Sequence, residues 1–172
     1  MYLTISTSTN PNSRSFRLAK LASDTLSELV SDVKLVDMTD YDLPLDNGST
    51  SKDPSVGEIC DFIGKAEGII LVVPIYRGGV SIATRNLVQL CGTNWQRKVI
   101  GLVSVAGEAI SHAVAVDFAA GLMLEHRNFI VPDFVFVESK SLSGKLTGSK
   151  VDQKIQKMVR CLVRVTESLK RA

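Results

Sequence analysis

Residues 68–79 read Gly68-Ile69-Ile70-Leu71-Val72-Val73-Pro74-Ile75-Tyr76-Arg77-Gly78-Gly79. From Gly68 to Val73 the residues are apolar, mostly branched, and do not alternate with polar ones. A strand of that kind has no face for water and belongs between two layers of helices. Pro74 then fixes the chain as it leaves the sheet. The paired glycines allow backbone to approach a flat ligand closely, with Tyr76 as an aromatic surface beside them.

Outward from this stretch, runs of strand length recur at Tyr2–Ser6, Val33–Met38, Lys98–Val105 and Phe129–Val137. Helical patterns fill the intervals. From Ser15 onward, Leu18, Leu21, Ala22, Leu26, Leu29 and Val30 fall three or four apart and form one buried stripe. Val56–Ala66, Ile82–Cys91, His112–Glu125 and Val151–Leu169 behave alike. Five strands alternating with five helices over residues 1–172 predict a single α/β domain. The expected architecture is a flavodoxin-like three-layer sandwich around a five-stranded parallel sheet of order 2-1-3-4-5. A ligand of such a sheet lies at the carboxyl ends of the strands, beside the switch between strands 1 and 3. The stretch from Leu43 to Pro54, with Pro, Asn-Gly, Ser and Asp, reads as an exposed loop after strand 2.

Composition narrows the function classes. The formal net charge is +2, and no run of Lys or Arg stands out. That argues against a nucleic-acid binder but leaves an anionic small molecule open. No segment has the length of a membrane span, and neither a basic nor an apolar leader follows Met1, so the expected location is cytoplasmic. Cys60, Cys91 and Cys161 are far apart and unpaired in spacing, and reduced buried thiols are expected.

Chemistry concentrates in three loops on one sheet edge. After strand 1 comes Ser6-Thr7-Ser8-Thr9-Asn10-Pro11-Asn12-Ser13-Arg14-Ser15, rich in hydroxyls and amides, with one guanidinium and no acid. Placed before a helix N-terminus, these donors suit a phosphate. Capping of the first helix by Asn12 or Ser13 is the plain alternative. Neither the Gly-x-x-x-x-Gly-Lys-Ser/Thr loop nor Gly-x-Gly-x-x-Gly is present. The second loop is the Pro74–Gly79 shelf. The third, Ser104-Val105-Ala106-Gly107-Glu108-Ala109, offers a wall of small residues. Together they fit a planar ring with a phosphorylated tail.

From Leu3 to about Val137 the chain resembles the NADPH-dependent FMN reductases of flavodoxin-like fold. Thr7-Ser8-Thr9-Asn10-Pro11-Asn12-Ser13 is similar to that family's Gly-Ser-x-Arg-x-x-Ser. Ser13-Arg14-Ser15 is similar to the branch that supplies reduced FMN to alkanesulfonate monooxygenases. Pro74-Ile75-Tyr76-Arg77-Gly78, with Arg85-Asn86, resembles Pro-x-Tyr-x-Gly followed by Lys/Arg-Asn. Ser111-His112 and Ala115-Val116-Asp117-Phe118 resemble that branch's Ala-His and Ala-Val/Leu-Asp-Tyr. Thr7 stands in place of a glycine, Asn10 of an arginine, Glu108 of a glycine and Phe118 of a tyrosine.

The resemblance implies hydride transfer from NADPH or NADH to FMN. Reduced flavin then goes to a flavin-dependent monooxygenase, or its electrons go to a quinone, azo or metal-oxyanion acceptor. It implies phosphate contacts from Ser8, Asn10, Ser13, Arg14 and Ser15. Ring contacts would come from Pro74, Ile75, Tyr76, Arg77 and Gly78, and from Ser104, Ala106 and Gly107. No catalytic side chain is expected, because stacking and positioning suffice for such a transfer. A homodimer or homotetramer through helix 112–125 is expected, since that helix is apolar nearly all round. His112 reads as a packing or capping residue rather than an acid–base group. Asp37, Asp40 and Asp42 read as an acidic turn rather than a metal site, as no His or Cys joins them. A flavodoxin-type electron carrier is the alternative. A phospho-receiver domain is set aside, because it needs acids after strand 1 and an Asp where Pro74 stands.

Overall fold

Buried on both faces, the central run divides its side chains between two cores. Ile69, Leu71, Val73 and Ile75 enter one, while Ile70 and Val72 enter the other. The computed structural model describes residues 1–48, 53–108, 112–142, 144 and 146–171, with only the backbone of His112. The strands are β1 (Tyr2–Ser6), β2 (Val33–Asp37), β3 (Gly68–Tyr76), β4 (Gly79–Val80), β5 (Val99–Ala106), β6 (Phe129–Ile130) and β7 (Val135–Glu138). The helices are α1 (Arg14–Ser27), α2 (Pro54–Lys65), α3 (Ile82–Cys91), α4 (His112–His126) and α5 (Lys150–Lys170).

Helix placement follows from the two cores. Leu18, Ala22 and Leu26 of α1 join Ile155, Met158 and Leu162 of α5 on one face. Ile59 and Ile63 of α2, Leu87 of α3, and Ala115, Phe118 and Leu122 of α4 cover the other. The helices start where the side chains permit: Ser13, Asp53, Ser81 and Ser149 each accept a hydrogen bond from a first-turn N–H.

The fold is the expected flavodoxin-like α/β sandwich, but its sheet has seven strands rather than five. They follow the order β2-β1-β3-β5-β6, with β7 also on β5 and β4 on β3. Two causes separate this from the expected 2-1-3-4-5. The end of β3 folds back on itself as the hairpin strand β4, the one antiparallel pairing among the described residues. The outermost run is also cut in two. Ile100 faces Ile130 and Val103 faces Val135, so three steps along β5 match five along the outer strand. Pro132, within the interruption, has no N–H to give the ladder.

The cysteines also differ from expectation. Cys60 and Cys91 are joined as a disulfide, and Cys161 alone is free and buried. A separation of 31 residues hides the pairing in the sequence, but α2 and α3 pack side by side and bring the two Cα atoms to 4.9 Å. The loop after β2 is only partly loose, because Tyr41 and Leu43 pack against the core. Residues 49–52 of that loop, and Ala109, Ile110 and Ser111 beyond β5, lie outside the described residues. No described helix is long and apolar enough to cross a membrane.

At the opposite sheet edge, Tyr2 lies over Gly68, where a Cβ would come within 2.7 Å of its ring. Its hydroxyl donates to Glu167 Oε1 at 2.8 Å. Burial, then the Glu167 carboxylate, pushes the phenol up to about 12, while Lys170 acts in the other direction. A raised folded-state value means that stability is fully present below the unfolded value of 10.0 and is lost as pH rises toward about 12. Thermal melting from pH 9 to about 12 should therefore show wild type losing stability relative to Tyr2→Phe above about pH 10. Parallel curves for the two proteins would contradict the assignment.

Candidate functional site

Parallel pairing aligns Asp37, Ser6, Val72, Val103 and Val135 in one row across the sheet. Whatever follows that row emerges on the same edge, so the three loops singled out in the sequence come together there. Each is built differently.

The first loop is held by its own polar groups. Thr7 N–H continues the ladder to Val72 O at 3.0 Å. Asn10 N–H donates to Ser8 Oγ at 3.3 Å, Asn12 N–H to Asn10 Oδ1 at 2.9 Å, and Ser13 N–H to Asn10 O at 2.9 Å. Ser13 Oγ accepts from Ser15 N–H at 3.1 Å, so Ser13 is the cap of α1. Among the described residues nothing accepts from its own hydroxyl hydrogen. Among the described residues nothing accepts from the backbone N–H groups of Ser8, Thr9 and Arg14. Ser8 and Ser15 are buried, while Thr9, Asn10 and Arg14 are exposed. Arg14 reaches across to Ser139 O at 2.7 Å, and Arg17 reaches Leu142 O and Gly144 O at 2.8 and 2.9 Å. The two guanidinium groups thus strap the segment after β7 to the start of α1.

The second loop is a two-residue hairpin. Ile75 pairs with Val80 and Tyr76 with Gly79, leaving Arg77 and Gly78 to make the turn at φ 49° and 75°. Such a turn needs positive φ at both positions, which is why a glycine follows Arg77. Pro74 and Ile75 are buried and supply backbone to the edge, whereas Tyr76 is 57% exposed. A Cβ on Gly78 would meet nothing within 4 Å, so the space above the turn is open.

The third loop leaves β5 through Ala106, buried, and Gly107 and Glu108, exposed. Ser104 is buried two residues below the edge, and its Oγ has no partner among the described residues. Ser139 Oγ donates to Ala106 O at 3.1 Å, which closes the circuit from α1 through the segment after β7 to β5.

On the β2 side, a cleft of about 610 Å³ opens between Thr9, Asp40, Asp42, Leu45 and Ile82. Thr9 of the first loop and the carboxyl residues Asp40 and Asp42 thus border the same cleft. Asn86 fixes this border: its Oδ1 accepts from Asp46 N–H at 2.8 Å and its Nδ2 donates to Pro44 O at 2.9 Å. That role was invisible in the Arg85-Asn86 pair. Ser81, Thr84 and Ser139 also escaped the sequence reading. Only Ser81 had a signal there, a serine directly before a helical pattern.

The donor set suits a phosphate and the open, aromatic-flanked hairpin suits a flat ring, so the residues present fit FMN. A doubly wound parallel sheet of this order, with polar and glycine-bearing loops at its switch point, defines a flavodoxin-like α/β protein. The model of the NADPH-dependent FMN reductase family matches residues 2–141, and the chain belongs to that family. Its flavin is FMN and its reductant NAD(P)H. An NAD(P)H-dependent FAD/FMN reductase of Geobacillus thermodenitrificans (strain NG80-2) is 23% identical over 144 residues, which cover 81% of this chain and 78% of that one. An oxidoreductase from Corynebacterium diphtheriae superposes with a TM-score of 0.82 at 16% identity, covering 97% of this chain and 96% of the other. The flavoenzyme NAD(P)H:(acceptor) oxidoreductase of Paracoccus denitrificans does so with a TM-score of 0.77 at 17% identity, covering 97% of each chain. At those identities the two structures bear on the fold.

Asn86→Ala should remove both ties to the 44–46 segment. Each hydrogen bond is worth about 0.5–1.5 kcal/mol, so Tm should fall by several degrees. Exchange of the Asp46 amide should quicken about tenfold. An unchanged exchange rate would show that the segment is held by other means.

Proposed function

We propose that the chain catalyses hydride transfer from NAD(P)H to FMN, with the flavin tail in the first loop and its ring between the Tyr76 hairpin and the end of β5. The observation that carries this reading is the set of unspent N–H and hydroxyl donors at the start of α1, facing no carboxylate within residues 6–15. Ser8, Asn10, Ser13, Arg14 and Ser15 would hold the phosphate. Ser13 would give its hydroxyl hydrogen, and Arg14 those N–H groups not engaged with Ser139. Backbone from Pro74 to Gly78 would support one side of the ring, and Ala106 and Gly107, above Ser104, the other. Bound FMN supplies the redox chemistry, and the protein supplies position and a polarised anion site. The likeness of Ser13-Arg14-Ser15 to the alkanesulfonate branch favours a flavin-dependent monooxygenase as consumer of the reduced flavin. Quinone, azo and metal-oxyanion acceptors need only an exposed ring edge.

The active unit is a homodimer or homotetramer joined through α4. Val116 and Met123 are each 47% exposed and Leu124 77% exposed, so one chain leaves the outer side of this helix uncovered. The helix packs on β4, β5 and β6, while α5 serves the opposite core. A second copy would cover this side and bring its own residues toward Tyr76 and Glu108.

Flavin fluorescence titration should show FMN bound at least tenfold more tightly than riboflavin, because a charge-assisted contact is worth about 1.5–3 kcal/mol. Purified protein with FMN should also oxidise NAD(P)H steadily. Equal affinity for the two flavins would reduce the first loop to a helix cap, and tight FMN without steady oxidation would mark an electron carrier of flavodoxin type. Light scattering at micromolar concentration should give a multiple of 18.7 kDa. A clean monomer mass would rule out the α4 interface.

A further inference from the structure

Thr7 lies at the mouth of the first loop, yet its side chain turns away from it. It is fully buried, at 0% exposure, and its Oγ1 donates to Val72 O at 3.1 Å. The same oxygen lies 2.6 Å from Oγ1 of Thr84, 77 residues away and 1% exposed in the first turn of α3. Thr84 Oγ1 in turn lies 2.8 Å from Ser81 Oγ, which accepts from Thr84 N–H at 3.2 Å. A hydroxyl has one hydrogen, and this fixes the direction. Thr7 spends its hydrogen on Val72, so Thr84 must donate to Thr7, and Ser81 to Thr84. The result is a directed chain, Ser81 to Thr84 to Thr7 to Val72, in which both buried threonines are satisfied.

We infer that Thr7 and Thr84 are a positioning pair that locks the phosphate loop to α3, and that neither is a phosphate ligand. The pair rests on the function proposed above. Thr7 is the first residue of the loop that would hold the tail. Ser81, at the other end of the chain, directly follows the hairpin that would hold the ring, and its own N–H donates to Pro74 O at 3.0 Å. Apart from the single ladder bond from Thr7 N–H to Val72 O, the two halves of the site come from loops that the sheet does not join. The hydroxyl chain is what makes them one rigid body, so the spacing between tail site and ring site is set before a ligand arrives. Preorganisation of this kind contributes affinity by removing an ordering cost.

The test uses Thr7→Val, Thr84→Val and their double, which keep side-chain shape and remove hydroxyls, with Thr7→Ser and Thr84→Ser as rescues. FMN and riboflavin affinities are measured for each by fluorescence. The single valine variants should bind FMN about tenfold more weakly with riboflavin changed less than about twofold, a loss within the range for stranding a buried hydroxyl partner. The double variant should be no weaker than the worse single, since one link is lost only once. The serine variants should return within about twofold of wild type. An unchanged ratio of FMN to riboflavin affinity, or losses that add, would overturn the pair. Valine at both sites replaces two polar groups by apolar ones of similar shape, which is nearly neutral for folding, so the double remains measurable if a single variant is unstable. Amide exchange at Thr7 gives a readout without flavin. It should quicken about tenfold in Thr84→Val, and an unchanged rate would overturn the pair even if wild type bound no FMN, a result that would instead refute the proposed function.

Discussion

In a parallel sheet every strand begins at one edge and ends at the other, so each connection must carry the chain back across a face. That constraint organises the molecule. It forces helices onto both faces, which is why β3 has no polar side and why Ile69 and Ile70 enter separate cores. It also collects every strand's exit on one edge, where the row through Ser6, Val72 and Val103 ends. The site is a product of direction. Loops distant in sequence meet because their strands run the same way and in register.

The two faces are completed by different means. On one, α1 and α5 turn charged sides to water and are strapped to neighbouring segments by Arg14, Arg17 and the Lys157–Asp133 pair. On the other, α4 carries little charge, and its apolar residues extend beyond what β5 and Phe134–Phe136 can cover. The disulfide between Cys60 and Cys91 also belongs to this second face, joining the helices that flank the hairpin in sequence. A helix tuned only to cover a sheet would show a polar outer stripe, as α5 does.

Much of this was legible in the residues. Strands buried on both faces, amphipathic intervals and loops dense in hydroxyls are local signals, and each fixed a helix or strand to within a few residues. What escaped depends on contacts between segments far apart. The hairpin β3–β4 leaves no pattern in the sequence, because two residue pairs make too short a strand. The split between β6 and β7 reflects a register mismatch, which exists only once β5 is beside them. Cys60 and Cys91 carry no spacing signature, and neither do Thr7 and Thr84. Arg14 was legible as the one cation of the first loop, but its bond to Ser139 required knowing that the segment after β7 returns there.

The hairpin at Arg77 and Gly78 stands outside the parallel ladder altogether. β3 runs four residues beyond the row at Val72 before turning, and the turn contributes nothing to the pairing of β1, β3 and β5. A change of length or sequence there reshapes the surface at this edge without disturbing a hydrogen bond of the parallel ladder. Arg77 already holds a backbone conformation that costs a non-glycine residue about 1–2 kcal/mol. In evolutionary terms, and with the ring placed as proposed, this turn is where a lineage could alter what the site admits while inheriting the parallel sheet unchanged.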